Sequence, residues 1–556
     1  MESMPRSRTL GALTEELAQR VPDVEAIAFE GQRLTYAELG ARVRAVAKGL
    51  LALGVSPGEN VACWLPNRPE WVVANLAISS IGAVTVGMNT WYRSHELEYT
   101  LDHAGVSVLI MTDRFLKNDY VETLASVASE MLAPRDTEGA VRFPQLRQVV
   151  MIEGSERVPS AISWTQLVEA GRTLGDERLD QAIAAVRPED AADLLYTSGS
   201  TTTPKGVVLL HGGLIENGFN IGARQRVVVG DRLWLANPLF FSYGCANALM
   251  VTLTHACTLV LQDVFEAGRA LRCLESERCT VLYGTTNMAL AMTSHPDRAS
   301  FDTSSLRTGT AMGSPAHVQL RIDLGATEIC NIYGLTETYG NCCVTDAHDP
   351  LDMRLNSQGA PLTGNELRIV GPDTGELLPS GEVGEIRVRG YVLPGYFKDP
   401  ERTADAFDAD GFFRTGDLGF LDTDGRIHWV GRETEMLKTG GINVAPVEVE
   451  EVLLQHPAVE DVVVVGLPDE LQDEIVAAFV SRKPGSSLTA EDLSGFCRER
   501  LANYKVPRKV VFLAREDFPL TATGKVWRKR LREQFLEDAQ TPGSPAGTGS
   551  QRDGVR

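Results

Sequence analysis

The chemically richest stretch of the sequence is residues 197–206, TSGSTTTPKG, which we call the hydroxyl-rich loop. Its hydroxyls and backbone amides can donate hydrogen bonds to anionic oxygens at close range, and Lys205 adds a positive point charge. Apolar runs of strand length, residues 194–196 and 207–210, flank it. The pattern predicts a strand–loop–strand clamp for a polyphosphate, although a solvated hairpin loop rich in Ser and Thr would have the same composition. The common phosphate loop G-x-x-x-x-G-K-[ST] does not occur here.

Two stretches downstream combine glycine with side chains that can bind polar ligands. Residues 333–338, YGLTET, offer an aromatic face at Tyr333, which can stack on a purine, and a hydroxyl and a carboxylate at Thr336 and Glu337. A carboxylate oxygen is a hard ligand of the kind that Mg²⁺ prefers beside phosphates. Asp417, in the segment FRTGD, is a bidentate acceptor that suits a vicinal diol. Taken alone, Glu337 could equally be a solvated loop acid and Asp417 part of a plain turn.

Lys525 lies near the end of the chain in the segment PLTATGK. A lysine on a glycine-flanked loop can reach into a cleft and neutralise developing negative charge. Considered alone, Lys525 would be a solvated surface residue, since Arg528, Lys529 and Arg530 continue a basic run. Its assignment therefore depends on the rest of the pattern.

The elements that must position these residues alternate between helical and extended periodicity. Residues 34–53 have apolar positions at helical spacing, and Thr35 followed by Glu38 forms a capping-box pattern. Strands are predicted at 61–65, 83–86, 107–111, 149–152 and 232–236, and helices at 70–81 and 211–222. This alternation predicts βαβ units and a mostly parallel sheet. Near the C-terminus, helices are predicted at 446–455 and 493–501, and strands at 459–466 and 474–480.

Length and composition limit the classes of function. A chain of 556 residues with 43% hydrophobic content can bury a large core divided among several domains. The net charge of −21 argues against nucleic-acid partners and against general attraction to anionic membranes. The nine cysteines show no CxxC pair and no zinc spacing, which fits reduced thiols in a cytoplasmic protein.

The sequence carries no evident signal for export or membrane insertion. Its N-terminus lacks the apolar segment of a secretory signal. Two long uncharged stretches, 71–89 and 233–262, are interrupted by Asn, Ser, Gly and Pro at intervals too short for a spanning helix. We expect them to be buried helix–strand pieces, and we expect no integral membrane segment.

In their order along nearly the whole chain, these segments resemble the motifs of the adenylate-forming superfamily, which includes acyl-CoA synthetases, luciferases and nonribosomal adenylation domains. The hydroxyl-rich loop is similar to that family's T-S-G-[ST]-T-G-x-P-K-G, although Thr202 replaces the usual glycine and implies a stiffer loop. YGLTE, FRTGD and PLTATGK are similar to the family's Y-G-x-T-E, Y-x-T-G-D and P-x-T-x-x-G-K, and residues 313–315, GSP, fit its G-[AES]-P turn. The resemblance implies ATP-dependent activation of a carboxylic acid.

The resemblance also implies roles for individual residues. Those implied to bind ATP or AMP are Thr197, Ser198, Gly199, Ser200, Thr201, Lys205, Gly313, Ser314, Pro315, Tyr333, Gly334, Thr336, Asp417 and Arg432. In this scheme Asp417 accepts both ribose hydroxyls and Arg432 contacts ribose and phosphate. The implied catalytic residues are Lys525, Thr201, Lys205 and Glu337, and the implied Mg²⁺ ligands are Glu337 and Thr201.

The acyl pocket is implied at Phe240, Phe241, Met312 and Tyr339. Residues 238–244, PLFFSYG, correspond to the family's P-x-F-H-x-x-G, so Phe241 holds the place of a histidine. Any role that needs a titrating imidazole is therefore absent there. Plain core packing would also account for Phe240 and Phe241.

The fold implied by the resemblance is α/β, with two domains of unequal size. The N-terminal domain, residues 1–431, is implied to combine mixed α/β sheet subdomains with a distorted β-barrel and to hold the ATP and acid sites. The hinge is implied at residues 432–434 and the small mobile α+β domain at 435–536. Residues 537–556 are rich in Gly, Ser, Pro and Thr and are predicted to be a disordered tail.

Two details concern the junction between these domains. Thr434 occupies the place where the family commonly has Asp or Lys, so the pivot there depends on backbone freedom and not on charge. Lys438, Gly440 and Gly441 are implied to face coenzyme A, because glycine lets the backbone approach a thiol arm closely.

The leading hypothesis is an acyl-CoA synthetase that uses ATP, Mg²⁺ and coenzyme A on a hydrophobic acid of the medium-chain, cyclic or aromatic kind. Alternatives are an enzyme that loads a carrier-protein thiol or stops at the adenylate, a luciferase, and a non-catalytic nucleotide sensor. Amino-acid activation is disfavoured, because the segment after the strand at 232–236 has no aspartate for an ammonium group. A homodimer is expected only from the general frequency of such assemblies.

Overall fold

The chain is described by a computed structural model that covers residues 4–129, 142–197, 204–439, 442–469, 472–521 and 526–540. Its helices are α1 (Leu10–Arg20), α2 (Tyr36–Ala52), α3 (Pro69–Ser80), α4 (Ser94–Ala104), α5 (Tyr120–Val127), α6 (Trp164–Gly171), α7 (Asp176–Ala185), α8 (His211–Arg224), α9 (Met250–His255), α10 (Ala267–Ser276), α11 (Thr286–Thr293), α12 (Pro315–Asp323), α13 (Leu351–Asn356), α14 (Pro400–Ala406), α15 (Pro446–Leu454), α16 (Ala490–Arg498) and α17 (Arg528–Gln540).

The strands are β1 (Glu25–Phe29), β2 (Gln32–Thr35), β3 (Asn60–Trp64), β4 (Val84–Gly87), β5 (Val106–Met111), β6 (Arg114–Phe115), β7 (Asn118–Asp119), β8 (Gln148–Met151), β9 (Ile162–Ser163), β10 (Ala191–Thr197), β11 (Lys205–Leu210), β12 (Arg232–Leu235), β13 (Thr258–Leu261), β14 (Val281–Tyr283), β15 (Thr308–Ala311), β16 (Cys330–Tyr333), β17 (Cys343–Val344), β18 (Ala360–Pro361), β19 (Glu366–Val370), β20 (Gly384–Arg389), β21 (Phe413–Leu421), β22 (Ile427–Arg432), β23 (Leu437–Thr439), β24 (Ile442–Val444), β25 (Val459–Asp469), β26 (Asp473–Arg482) and β27 (Lys509–Phe512).

Helix α2 shows how local sequence sets an element. The Thr35 hydroxyl accepts from the Glu38 backbone N–H at 3.2 Å, and a Glu38 carboxylate oxygen accepts from the Thr35 N–H at 2.9 Å. The predicted capping box is therefore confirmed, and it satisfies two donors that the first helical turn leaves without intrahelical partners. The apolar face of α2, including Leu39, Val43 and Leu50, is buried in the main core.

A seven-stranded sheet has the order β11-β10-β4-β3-β5-β8-β9, and the strands that flank the hydroxyl-rich loop in sequence, β10 and β11, are at one edge of it. Its pairs are parallel except for the antiparallel hairpin of β10 and β11. The inner strands are buried on both faces, which is typical of parallel sheets and explains their continuous apolar runs. The predicted βαβ alternation is confirmed here.

A nine-stranded sheet in the order β18-β17-β16-β15-β14-β12-β13-β1-β2 forms the second layer of the large domain. Its strands from β16 through β1 are parallel, so the carboxyl ends of β12, β14, β15 and β16 meet at one edge. The uncharged stretches 71–89 and 233–262 are buried helix–strand pieces, as predicted. Within the described ranges, no helix is both long and apolar enough to span a bilayer.

The region expected to be a distorted barrel is an open four-stranded antiparallel sheet, β19-β20-β21-β22. No closed barrel forms among the residues described, because β19 and β22 are edge strands that pair only with β20 and β21 respectively. The mixed α/β class with a large N-terminal domain is confirmed, and the barrel is corrected to this open sheet.

The small C-terminal domain is built on the sheet of β23 to β27. Strands β25 and β26 form a long antiparallel hairpin, and β27 adds parallel to β26. Helices α15 and α16 pack on one face around a separate apolar cluster that includes Val464, Val480 and Leu493. Residues Glu433–Glu435 form one turn of 3₁₀ helix between β22 and β23, at the predicted hinge.

Candidate active site

Strands β10 and β11 hold the two ends of the hydroxyl-rich loop together. Thr197, the last residue of β10, pairs with Lys205, the first residue of β11. The predicted strands on both sides of the loop are therefore confirmed. The site residues Ser198, Gly199, Ser200 and Thr201, and the atypical Thr202, lie outside the described residues.

Tyr396 links Lys205 to Glu337. The Lys205 ammonium lies 5.2 Å from the centre of the Tyr396 ring, and the Tyr396 hydroxyl donates to Glu337 Oε1 at 2.9 Å. Burial, reinforced by the Glu337 carboxylate, raises the pKa of Tyr396, so its hydroxyl stays protonated and keeps donating. One aromatic side chain thus fixes a cation and a carboxylate that lie far apart in sequence.

The backbone around Tyr396 is itself tied to β11. The Phe397 N–H donates to the Gly206 carbonyl at 2.8 Å, and Tyr396 forms an isolated antiparallel bridge with Val207. The Leu393 N–H donates to the Glu337 carbonyl at 2.8 Å. Sequence reasoning missed Tyr396, because its only local signal was an aromatic residue after Gly395 and its partners are remote in the chain.

Ser242 connects the segment after β12 to the YGLTET stretch. The Ser242 and Thr336 hydroxyls are 3.0 Å apart and hydrogen-bonded. Glu337 follows Thr336 in a short 3₁₀ turn and is buried. Ser242 was also missed as a site residue, although it lies next to Phe241, which the motif comparison does single out.

Asp417 is oriented by two side chains. The Tyr333 hydroxyl donates to Asp417 Oδ2 at 3.0 Å, and Arg432 Nε lies 3.1 Å from Oδ1. Asp417 and Arg432 are directly opposite in the β21–β22 ladder, so sheet register brings the pair together. Asp417 is 3% exposed, whereas the Arg432 side chain is half exposed. Burial first, and the Asp417 charge second, raise the pKa of Tyr333, which therefore remains a hydrogen-bond donor.

The GSP turn lies at the carboxyl end of β15. Gly313 has φ +103°, and a Cβ there would come within 2.7 Å of His317 Nδ1, so both backbone conformation and space favour glycine. Ser314 is the N-cap residue of α12 and Pro315 its first residue. The buried Ser314 hydroxyl has no hydrogen-bond partner within the described part of the chain. A polar group at this helix start is thus available to a ligand.

The implied acyl-pocket residues differ in exposure. Phe240 is buried, and its backbone packs so closely on Gly87 that a Cβ there would lie 3.1 Å from the Phe240 carbonyl oxygen. Phe241 and Met312 are half-buried, and the Phe240 and Phe241 rings are 4.6 Å apart. Tyr339 is 2% exposed, and its hydroxyl accepts from the Leu210 N–H at 3.0 Å. Tyr339 thus lies within packed core.

The residues implied for the C-terminal domain are partly described. Lys525, Gly440 and Gly441 lie outside the described residues, whereas Lys438 and Thr434 are exposed. The segment that contains Lys525 is closed at its ends by a bridge between Leu520 and Val526.

Arg528, at the start of α17, is held to the body of the small domain. Its guanidinium donates to both carboxylate oxygens of Glu450 on α15, at 2.8 Å each. Glu450 is buried, and burial raises its pKa above the usual value. The start of α17 is therefore fixed relative to α15.

A metal at this site would need ligands beyond the protein. No cluster of three or more His, Cys, Asp or Glu side chains occurs where the structure describes the chain. Mg²⁺ usually binds through one or two carboxylates together with substrate phosphates. The buried carboxylate of Glu337, held by Tyr396 on one oxygen, fits that donor set. All nine cysteines are free thiols, as expected from their scattered spacing.

Comparison with known proteins agrees with these motifs. Residues 14–397 match the family model described as AMP-binding enzyme, and residues 448–525 match the model of its C-terminal domain. The chain is 35% identical over 537 residues to YngI of Bacillus subtilis (strain 168), covering 95% of this chain and 97% of YngI. It is 33% identical over 545 residues to the mitochondrial medium-chain acyl-CoA ligase ACSF2 of Bos taurus, covering 95% of this chain and 88% of ACSF2.

A solved structure has a similar fold over almost the full length. The anthranilate CoA ligase AuaEII, in complex with anthranoyl-AMP, superposes with a TM-score of 0.83 at 27% identity, covering 96% of this chain and 98% of AuaEII. ATP-bound MatB from Rhodopseudomonas palustris superposes with a TM-score of 0.80 at 28% identity, covering 94% of this chain and 99% of MatB.

Proposed function

This chain belongs to the AMP-binding enzyme family, and from that premise we propose how its residues divide the work of an AMP-forming acyl-CoA synthetase. The enzyme activates a hydrophobic carboxylic acid of the medium-chain, cyclic or aromatic kind with ATP, and transfers the acyl group to coenzyme A. The observation that carries the assignment of the reacting centre is the link from Lys205 through Tyr396 to Glu337. It unites the loop predicted to bind phosphates with the carboxylate predicted to lie beside them.

The first half-reaction overcomes the poor leaving group of a carboxylate. A carboxylate oxygen attacks the α-phosphorus of ATP, an oxygen–phosphorus bond forms, and the bond to the leaving pyrophosphate breaks, which gives an acyl-adenylate. Because two anions must meet, catalysis consists mainly of positioning and charge neutralisation. We assign this work to Thr201, Lys205, Thr336, Glu337 and Lys525.

The nucleoside is assigned to the groups around Asp417. Its carboxylate suits the ribose diol, and Tyr333 and Arg432 fix its orientation through the contacts at 3.0 and 3.1 Å. The turn at Gly313 and Ser314 is assigned to the adenine, since its backbone offers polar groups there, as does the Ser314 hydroxyl, which has no hydrogen-bond partner among the described residues. Among the described residues, the Asp417 group and the turn at Gly313 and Ser314 would hold AMP once pyrophosphate has left.

Mg²⁺ is assigned to Glu337, with Thr201 as the second candidate ligand. When bound, the ion would neutralise charge on the phosphates. Glu337 Oε1 already accepts from Tyr396, so the other carboxylate oxygen would be presented to the ion in a fixed direction. Tyr396 is thus a positioning residue for the ligand.

The second half-reaction is attack of the coenzyme A thiol on the acyl-adenylate, which forms the thioester and releases AMP. We assign Lys438, Gly440 and Gly441 to the approach of the thiol, and residues 432–434 to the hinge that brings this face into place. No enzyme nucleophile is required, because the adenylate is itself activated. Exclusion of water protects it from hydrolysis.

Pyrophosphate release from a panel of acids of varied chain length and ring content, with and without coenzyme A, tests this function. We expect acid-dependent release, and a thioester product when coenzyme A is present. Adenylation without transfer to free coenzyme A would instead indicate a carrier-protein thiol as acceptor. ATP binding with no turnover of any acid would support a non-catalytic nucleotide-binding role. The cytoplasmic location and a homodimer stay predictions, the latter tested by light scattering of the eluting protein.

A further inference from the structure

The topology of the nine-stranded sheet predicts that the acid binds in the crevice outside the carboxyl ends of β12, β14 and β15. These strands are neighbours in the nine-stranded sheet, and ligands of open α/β sheets bind beyond the carboxyl ends of the strands. Tyr243, after β12, hydrogen-bonds the Thr310 hydroxyl of β15, and its ring lies 5.3 Å from Tyr283 at the end of β14. The half-buried Phe241 and Met312 occupy the same loops.

Helix α12 carries a buried cation, Arg321, close to the end of β14. Arg321 is 0% exposed, and no carboxylate pairs with it among the residues described. Its guanidinium donates to the carbonyl oxygens of His317 at 2.6 Å and Gly284 at 3.1 Å. Its Nε–H has no acceptor within the described structure. Gly284 directly follows β14, so the charge lies at the carboxyl end of that strand.

An unpaired buried charge is costly, because the low dielectric of the interior does not replace the hydration that the ion loses. Burial lowers the pKa of Arg321 only to about 10, so the guanidinium remains charged at neutral pH. The carbonyl and hydroxyl acceptors use part of the hydrogen-bonding capacity of the guanidinium, but they are neutral and do not compensate its charge. An anionic or electron-rich oxygen would therefore be stabilised beside it.

Thr286, at the start of α11, hydrogen-bonds this buried cation. Its hydroxyl oxygen lies 3.5 and 3.4 Å from the two terminal nitrogens of Arg321, which places it as their acceptor. Thr286 is half-buried, at the first position of α11, whereas Arg321 is enclosed. Since the oxygen faces the guanidinium, its own proton is left to donate to a ligand.

We propose that Thr286, backed by Arg321, forms a donor site at the far end of the acid-binding crevice and selects acids that carry a second oxygen acceptor there. The acid would have an apolar body against Phe241 and Met312 and a polar far end. A second carboxylate would be preferred over a neutral oxygen, because no carboxylate among the described residues pairs with Arg321. The inference rests on the proposed function and names the substrate class of that site. Thr286 touches the acid, and Arg321 is a positioning residue that acts through it.

Matched acids test the proposal on the whole enzyme. Each set has one chain length or ring and differs only at the far end, which is a methyl, a hydroxyl, a methyl ketone or a carboxylate. In the wild type, kcat/KM for acid-dependent pyrophosphate release should be about tenfold or more higher for the oxygen-bearing acids than for the methyl-ended one. A higher kcat/KM for the carboxylate-ended acid than for the others indicates that the site binds a charged group. Equal kcat/KM values for the ketone-ended and hydroxyl-ended acids indicate that it binds a neutral oxygen.

Two variants distinguish a role in selecting the acid from a general role in the stability of the fold. Thr286→Val keeps the side-chain shape and Arg321→Met approximates its volume, so both should lower the preference ratio to near one while the KM for ATP stays unchanged. A wild type that favours methyl-ended acids overturns the proposal. So does an unchanged preference ratio in Thr286→Val, or an equal loss for every acid in that variant. Absence of pyrophosphate release with every acid would instead overturn the proposed function itself.

Discussion

Replacement of Tyr396 by phenylalanine tests the geometry of the reacting centre. The change removes the hydroxyl that donates to Glu337 Oε1 at 2.9 Å and keeps the ring that lies 5.2 Å from the Lys205 ammonium. A hydrogen bond to a charged group contributes about 1.5–3 kcal/mol, and Glu337 is buried, so water cannot fully replace the donor. Because about 1.4 kcal/mol corresponds to a factor of ten, kcat/KM for ATP should fall roughly 10- to 100-fold.

The assay is pyrophosphate release with a turned-over acid, measured as a function of ATP and of Mg²⁺ concentration. If Tyr396 orients a metal ligand, the variant should need more Mg²⁺ for half-maximal rate, a shift that a general loss of packing would not produce. Tyr396→Leu should release pyrophosphate more slowly still. It also removes the cation–π contact, which contributes about 0.5–2 kcal/mol.

Tyr391→Phe is the matched control. Its hydroxyl also donates to a carboxylate, that of Glu216 on α8, and neither residue is assigned to the phosphate or metal site. We expect near wild-type kinetics from this variant. Equal rates and equal Mg²⁺ dependence in Tyr396→Phe and Tyr391→Phe would refute the reasoning.

Three further outcomes are expected. Asp417→Asn should raise the KM for ATP about tenfold or more, and the penalty should shrink with 2′-deoxy-ATP if the carboxylate binds the ribose diol; an equal penalty for both nucleotides contradicts that role. Glu450→Gln breaks the two-point contact with Arg528, which follows Lys525 in the chain. Pyrophosphate release should therefore fall about tenfold, while thioester formation from chemically prepared acyl-AMP is retained. Equal loss in both half-reactions would argue for a general folding defect. Burial, opposed only in part by the Asn75 amide, raises the pKa of Asp193 from 3.8 to about 7. The unfolded chain therefore loses this proton first, so stability falls as pH rises from about 4 to about 7, and Asp193→Asn should raise the thermal midpoint more at about pH 8 than at about pH 5.

Local signals predicted the elements of the fold well. The capping box at Thr35 and Glu38 depends on residues three apart, so it can be found without tertiary information. The hairpin ends at Thr197 and Lys205 follow from two apolar runs around a short polar loop. Predicted boundaries differ from the observed ones mostly by one to three residues, because helix and strand ends depend on their packing partners.

The supporting contacts of the site could not be predicted in the same way. Tyr396 meets Lys205 and Glu337 only because a long segment folds back onto β11, and no spacing in the sequence encodes that contact. Tyr339 follows the YGLTE motif and is a plausible pocket residue by sequence, yet its ring packs against Gly213 of α8. Arg321 occupies a buried helix position where an apolar residue is the usual expectation.

The most direct test of the central claim is an isotope-transfer measurement. An acid labelled with oxygen-18 in its reacting carboxylate is turned over with ATP and coenzyme A, and AMP and pyrophosphate are analysed by mass spectrometry. Attack of the carboxylate on the α-phosphorus predicts one labelled oxygen in AMP and none in pyrophosphate. Label in pyrophosphate or inorganic phosphate, or thioester formed with unlabelled AMP, would contradict the account.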